Sequence, residues 1–359
     1  MNNKTTIPFG PQHPVLPEPL HLKLVMEDEK VVEAIPALGY VHRGLEKLAE
    51  VKDFTQNTYL VERICGICSV MHAQAYVQGI ETLMNVEIPK RAKYLRVIWG
   101  ELHRIHSHLL WLGLLADAFG FESLFMQCWR DREKVMDIME ETAGARIVIS
   151  VNAVGGTRRD LNNEQMAKIV TVVDQIHADM KVMEGAFLND YTVKHRLCGI
   201  GTLTAAEAYQ FGAVGPMARA SGVAQDLRTM GYAAYADLDF QMVVEKDGDS
   251  WARTAVRFKE VYECIRLIKA AIAKIPSGDF AVPVKGNPSG EVISRVEQPR
   301  GEVLYYIKGN GTKNLDRLRV RTPTFANIPT LLKMIPGSQL ADVPVLLLTI
   351  DPCISCTER

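Results

Sequence analysis

The sequence lacks an excess of charge. Lysine and arginine number 41 against 42 aspartates and glutamates, a formal net charge of −1, which removes the electrostatic case for nucleic acid or an anionic membrane surface as partner. It also lacks a long apolar run: LLWLGLLADAFGF and VPVLLLTI are too short to cross a bilayer alone. The start, MNNKTTIPFG, lacks the charged-then-apolar order of a secretory signal. Repeats, low-complexity tracts and obvious linkers are missing as well. These absences predict an intracellular, soluble chain, one that reaches a membrane only through partners. Cysteine is scarce, seven in 359 residues. In a long chain without a secretory signal, paired thiols favour metal or redox chemistry over structural disulfides.

What is present reads as an ordinary packed chain, 47% hydrophobic and 23% charged. After the Pro-rich PFGPQHPVLPEP, the stretch LHLKLVMEDEKVVEAI alternates like a hairpin turning at Asp28–Lys30. From about Asp53 to Ile275 apolar residues recur at helical spacing, as in RAKYLRVIWGELHRIHSHLLWLGLLADAF and TAVRFKEVYECIRLIKAAIAKI. Strand character returns in GEVLYYIKG and LDRLRVRT. ANIPTLLKMIPG reads as a short helix, and VPVLLLTIDPC as a buried strand leading into the last cysteines. The expected class is α+β: one domain with an N-terminal β region at 1–52, a helical core at 53–285 and a C-terminal β/α region at 286–359.

Two Cys-x-x-Cys pairs carry the chemistry. ERICGICSVMH contains Cys65 and Cys68, and DPCISCTER contains Cys353 and Cys356. Two such loops supply four thiolates, a soft set suited to zinc, iron–sulfur clusters or nickel. Small zinc ribbons close their two pairs within a few tens of residues, whereas nearly the whole chain separates these. The expected enclosure for whatever they bind is therefore the earlier part of a large fold. A buried structural zinc is the alternative. Cys128, Cys198 and Cys264 read as core packing.

RICGIC with His72 near the start and DPCxxC at the end resemble the large subunit of nickel–iron hydrogenases. The resemblance continues through RGLE (Arg43–Glu46), QPRGEVLYYI (Gln298–Ile307) and LADVPVLLLTIDPC. GPQHP (Gly10–Pro14) is similar to the loop that opens the 49 kDa-type quinone-site subunit of respiratory complex I, a relative that has lost the metal cysteines. A chain with both that loop and four intact cysteines resembles the group 4, energy-converting hydrogenases of Ech type.

That resemblance implies a hydrogenase large-subunit fold around a nickel–iron centre. Nickel would be held by Cys65, Cys68, Cys353 and Cys356. Cys68 and Cys356 would bridge to an iron carrying carbon monoxide and cyanide, and terminal Cys353 would take a proton when hydrogen is split. Glu18 stands at the family's spacing before Glu46 and is the implied proton relay. Arg300, in the Pro-Arg-Gly motif, would lie near the cyanides. His72, four residues after Cys68, would hydrogen-bond a bridging sulfur. Glu46 occupies the position that binds a magnesium ion in many relatives, with a C-terminal His as co-ligand. Here that position is Arg359, which cannot ligate a cation, so a Glu46–Arg359 salt bridge is expected in place of the metal. Asp117 is expected to approach the site from a helix end. His103, His106 and His108 read as polar helix residues facing a partner, and His13 as part of a loop near a proton-coupling interface.

The implied activity is reversible hydrogen evolution from protons and electrons. Ferredoxin would donate through a small subunit with a proximal iron–sulfur cluster and other complex I-like hydrophilic subunits. Membrane subunits would couple the reaction to ion translocation, placing this chain peripherally on the cytoplasmic side of the cell membrane. The rivals are a complex I-like quinone-site subunit, a scaffold with structural zinc, and a coenzyme F420-reducing relative. The first predicts degraded cysteines, the second leaves RGLE and the Pro-Arg-Gly motif unexplained, and GPQHP counts against the third. Family members are cut three residues past the final cysteine; the expectation is a mature form or one encoded without an extension.

Overall fold

The computed structural model describes residues 4–359. Strands β1 (Lys4–Phe9), β2 (His21–Glu27) and β3 (Lys30–Ala37) form an antiparallel sheet in that order. In β2 the alternation seen in the sequence is physical: Leu22, Leu24 and Met26 face the core while Lys23 points to solvent. Asp28 makes the hairpin turn at φ 53°, a conformation aspartate tolerates better than most residues.

The middle of the chain is helical. Short α1 (Leu45–Val51) and α2 (Asn57–Glu62) lead to α3 (Ser69–Leu83), α4 (Lys90–Ala118) and α5 (Glu122–Ala143). After a two-residue ladder of β4 (Asn152–Ala153) and β5 (Gly156–Thr157) come α6 (Asn163–Leu188) and α7 (Tyr191–Leu197), then α8 (Ala205–Gln210), α9 (Pro216–Ala220) and α10 (Ser250–Lys274). Caps set the starts: Asn162 and Gln165 form a reciprocal capping box on α6, and the Asp249 side chain accepts from Ala252 N on α10. A second antiparallel sheet follows, β6 (Ser289–Gln298), β7 (Gly301–Asn310) and β8 (Leu315–Arg321). Gln298 pairs with Gly301, so Pro299 and Arg300 are the two turn residues of the β6–β7 hairpin. Helices α11 (Pro323–Met334), α12 (Val343–Thr349) and α13 (Ile354–Thr357) close the chain. The class is α+β, as the sequence predicts. No helix among the described residues is long and apolar enough to cross a membrane.

Helix α4 is the axis. Its 29 residues run roughly 43 Å, with Trp99, Leu102, Leu109 and Trp111 buried in the main core. The polar residues in its middle, from Arg96 to His108, are buried too, which corrects the reading of His103, His106 and His108 as partner-facing. Each has an internal counterpart. His108 Nε2 lies 2.9 Å from Glu260 Oε2, His106 Nε2 accepts from Arg132 at 2.7 Å, and His103 Nε2 meets the Ile147 carbonyl at 3.2 Å. Arg219 ties Glu260 and Glu297 at 2.7 Å each, and Arg228 ties Asp226 at 2.8 Å and Glu101 at 3.2 Å. Charges this deep persist only when paired, and removing one partner costs about 3–5 kcal/mol.

Two further expectations are corrected. The stretch VPVLLLTI is helix, not strand. Val345 and Leu348 pack into the α4–α10 core while Val343, Leu346 and Leu347 pack against the N-terminal sheet. Those two sets recur at helical spacing, and a helix apolar all round is a buried one. Pro344 sits in its first turn, where a missing N–H costs nothing. Cys198 is exposed, whereas Cys128 and Cys264 are core residues as read.

Candidate metal centre

The two Cys-x-x-Cys loops are built alike. In the first, Cys65 Sγ accepts the Ile67 N–H at 3.3 Å, and a tight turn over Gly66–Cys68 leads into α3. In the second, Cys353 Sγ accepts the Cys356 N–H at 3.4 Å as α13 begins. A sulfur that accepts a backbone N–H is favoured as thiolate. At Cys65 that agrees with the net direction, whereas at Cys353 the hydrogen bond from Cys356 pulls down but the contacts with Cys65 and Cys68 and burial push the thiol well above its usual range. The loops meet between α3 and the β6–β8 sheet. Cys65 and Cys353 sulfurs are 3.2 Å apart, Cys68 and Cys356 sulfurs 3.4 Å. Cys65, Cys68 and Cys356 lie within 4.8 Å of one another. All four are buried and none is disulfide-bonded.

This donor set fits a thiophilic metal. Two thiolates on one ion at about 2.3 Å are separated by roughly 3.3 Å at a right angle and 3.8 Å in a tetrahedron, close to the spacings found. Among themselves the thiols divide the charge. Hydrogen bonds from Cys353, Cys356 and Cys68 hold Cys65 well below the usual thiol range, while burial pushes Cys356 well above it.

Cys65 and Cys353 line a cleft of about 440 Å³ that opens to the surface, and Glu18, Trp111 and Arg300 line it with them. Cys68 and Cys356 sit behind. Larger grooves elsewhere, about 560 and 860 Å³, carry no cysteine. Arg300 is held by Asp351: Nε donates to its carbonyl at 2.9 Å, and Nη2 meets its carboxylate at 2.8 Å. Arg300 Nη1 and Asp351 Oδ2 are buried without a partner, leaving a free cationic donor beside the thiols for an anionic acceptor. Glu18 is anchored by Ser355, whose N–H donates at 3.0 Å and whose hydroxyl donates to the other carboxylate oxygen.

His72 reaches the cluster from α3. Its Nε2 lies 3.4 Å from Cys356 Sγ and its Nδ1 2.7 Å from the Tyr305 hydroxyl. Burial holds its pKa down at about 4, so the ring is neutral. In the tautomer where Tyr305 donates to Nδ1, the single ring proton would sit on Nε2 and point at the sulfur.

Glu46 and Arg359 are joined, Nε to Oε1 at 3.0 Å. Glu46 also accepts from Val320 N and from Arg319, each at 2.9 Å. Burial works to raise its pKa, but these donors outweigh it and hold the carboxyl below its usual range. Two donors on Oε1 and one on Oε2 compete with any cation for this carboxylate.

Asp117 is corrected: it is exposed near the end of α4 and does not line the cleft. His13 stacks on Phe9 with ring centroids 4.1 Å apart, also outside the cleft. Sequence reading missed Asp351, Ser355, Tyr305 and Glu358. Asp351, Ser355 and Glu358 lie inside the quoted DPCISCTER, so adjacency to the cysteines was their available signal; Tyr305 lies inside the quoted QPRGEVLYYI, where the strand pattern does not say which tyrosine turns inward.

Residues 43–146 match the nickel-dependent hydrogenases, and residues 118–285 and 281–359 match the 49 kDa subunit of the respiratory-chain NADH dehydrogenase. The chain is 39% identical over 357 residues to the carbon monoxide-induced hydrogenase of Rhodospirillum rubrum, covering 99% of both chains. It is 38% identical to the membrane-bound hydrogenase subunit alpha of Pyrococcus furiosus, covering 98% of this chain and 87% of that one. Among solved structures, a chain of the membrane-bound sulfane sulfur reductase, an archaeal respiratory membrane complex, superposes with TM-score 0.95 at 30% identity, covering 99% of this chain and 98% of that one. The chain belongs to the family that joins the large subunits of group 4, membrane-bound nickel-dependent hydrogenases with the 49 kDa-type subunit of respiratory complex I.

Proposed function

We propose that this chain is the catalytic large subunit of a membrane-bound nickel–iron hydrogenase that interconverts hydrogen with two protons and two electrons. The observation that carries the reading is the convergence of four buried thiols from opposite ends of the chain, two of them open to a cleft. Family membership supports the coarser statement, a redox subunit of hydrogenase-like or complex I-like type in a multisubunit membrane complex.

In this reading Cys65, Cys68, Cys353 and Cys356 hold a nickel–iron pair whose iron carries carbon monoxide and cyanide. When bound, that group supplies the two-electron chemistry of hydrogen. The chain supplies the rest. Cys65 and Cys353, which line the cleft, would hold the group from its open side, and Cys68 and Cys356 would hold it from behind. Cys353 Sγ holds the departing proton and Glu18, in the same cleft, collects it. Arg300 directs its free Nη1 to anionic ligands. His72 donates from Nε2 to Cys356 and tempers the donation of that sulfur. Electrons arrive from reduced ferredoxin through a small subunit with a proximal iron–sulfur cluster and complex I-like hydrophilic partners. Membrane subunits couple the reaction to ion translocation, with this chain peripheral on the cytoplasmic face.

The complex I-like alternative draws on the 49 kDa match, but a quinone site has no use for four converging thiols. Infrared spectroscopy of the anaerobically purified complex, in the window of metal-bound carbon monoxide and cyanide, separates the readings. Bands there support hydrogenase. No bands with zinc on the cysteines means a scaffold, and no bands with quinone reduction means a complex I-like subunit.

A further inference from the structure

The RGLE segment does more than present Glu46. Arg43 donates from Nη1 to the Arg63 carbonyl at 3.0 Å and from Nη2 to the Ile64 carbonyl at 2.9 Å, the two residues that lead into Cys65. The same Nη2 reaches the Ser355 carbonyl, between Cys353 and Cys356, at 3.3 Å. One guanidinium therefore spans both cysteine loops. Its Nε is steadied by the Val41 carbonyl at 3.3 Å. From the other side, the Glu358 carboxylate accepts the Gly39 N–H at 2.5 Å and the Val41 N–H at 2.6 Å, and its carbonyl meets His42 Nδ1 at 2.9 Å.

We infer that Arg43 and Glu358 form a clasp that sets the spacing of the two Cys-x-x-Cys loops. Arg43 is the positioning residue for the sulfurs, and Glu358 anchors the segment that carries it. The bonds are charge-assisted, and a planar fork reaches carbonyls on two loops where an ammonium on a flexible stem does not. The clasp makes the order of residues 38–46 and 353–359 mutually dependent. Its bearing on the metal rests on the reading of the four cysteines as a metal site.

Hydrogen–deuterium exchange on the full chain, read by mass spectrometry, tests the clasp without a metal. Glu358→Gln should speed exchange at Gly39 and Val41 at least about tenfold. Arg43→Gln should do the same across 353–359, with α10 unchanged, and Arg43→Lys should restore only part of the protection. In the purified complex, Arg43→Gln should release nickel to a chelator at least about tenfold faster than wild type. Wild-type exchange in both variants overturns the clasp. If Arg43→Gln also loosens α10, Glu358→Gln read at Gly39 and Val41 decides alone. Faster exchange in both variants, beside a wild-type complex that holds no nickel and shows no carbon monoxide bands, keeps the clasp and sinks the metal reading instead.

Discussion

Arg300 grips Asp351 at two points, through Nε to its backbone carbonyl and through Nη2 to its carboxylate. Asp351 sits in the left-handed region at φ 55°, a conformation aspartate tolerates better than most residues. The grip leaves Nη1 as the free donor at the cleft. Arg300→Lys keeps a charge but cannot both hold Asp351 and present that donor. The expected outcome is retained nickel and iron with hydrogen turnover down by about a hundredfold or more. Unchanged turnover would remove Arg300 from the chemistry.

Glu18 faces the cleft from a loop and is held by both the amide and the hydroxyl of Ser355. Glu18→Gln preserves the shape but cannot carry a proton. Metal content should be normal, while hydrogen–deuterium exchange with the gas slows by about 10²- to 10⁴-fold. Normal gas exchange in that variant assigns the relay elsewhere.

The Glu46 carboxylate has a pKa below its usual 4.5 in the folded chain. A depressed carboxylate contributes stability that is present above the unfolded value and is lost as pH falls through the folded one. Glu46→Gln should therefore be less stable than wild type in urea at pH 7, with the gap closing below about pH 4. Because Arg319, Val320 and Arg359 already bond the carboxylate, two of them as cations, magnesium should leave the Tm of the wild-type chain unchanged. A magnesium-dependent rise in Tm would show that a cation displaces the Arg359 contact.

Glu62 shows the opposite sign. Burial pushes its pKa up to about 6, against the opposing pull of the Ser150 hydroxyl and the guanidiniums of Arg158 and Arg63. Its native state binds a proton more readily than the unfolded chain, so stability falls as pH rises from 4.5 through about 6. Glu62→Gln removes the penalty while keeping an acceptor for Ser150. It should gain about 2 kcal/mol over wild type at pH 7 to 8 and nothing near pH 4. Equal unfolding midpoints across that range would place the titration on another group.

Much of the fold was legible along the chain. Alternation in LHLKLVMEDEKVVEAI marked β2, β3 and their turn, and the 3.6-residue rhythm marked α4 and α10. The failure at VPVLLLTI has a physical cause. Over seven residues buried on all sides there is no polar face to reveal a period, so helix and strand read alike. The histidines of α4 misled for a related reason. Polarity suggests solvent, but Glu260 and Arg132 arrive from distant sequence to satisfy them inside.

The sequence by itself determined the donor chemistry: four soft sulfurs in two short loops, a glutamate and an arginine that replaces the expected histidine at the terminus. Those follow from residue type and local spacing. Only the tertiary structure decided that Cys65 and Cys353 face a cleft while Cys68 and Cys356 do not, that Asp117 stays at the surface, and that Arg43 bridges both loops. Each of these depends on which segments pack against one another, and packing follows the burial of whole faces of helices and sheets, which no local pattern of residues specifies.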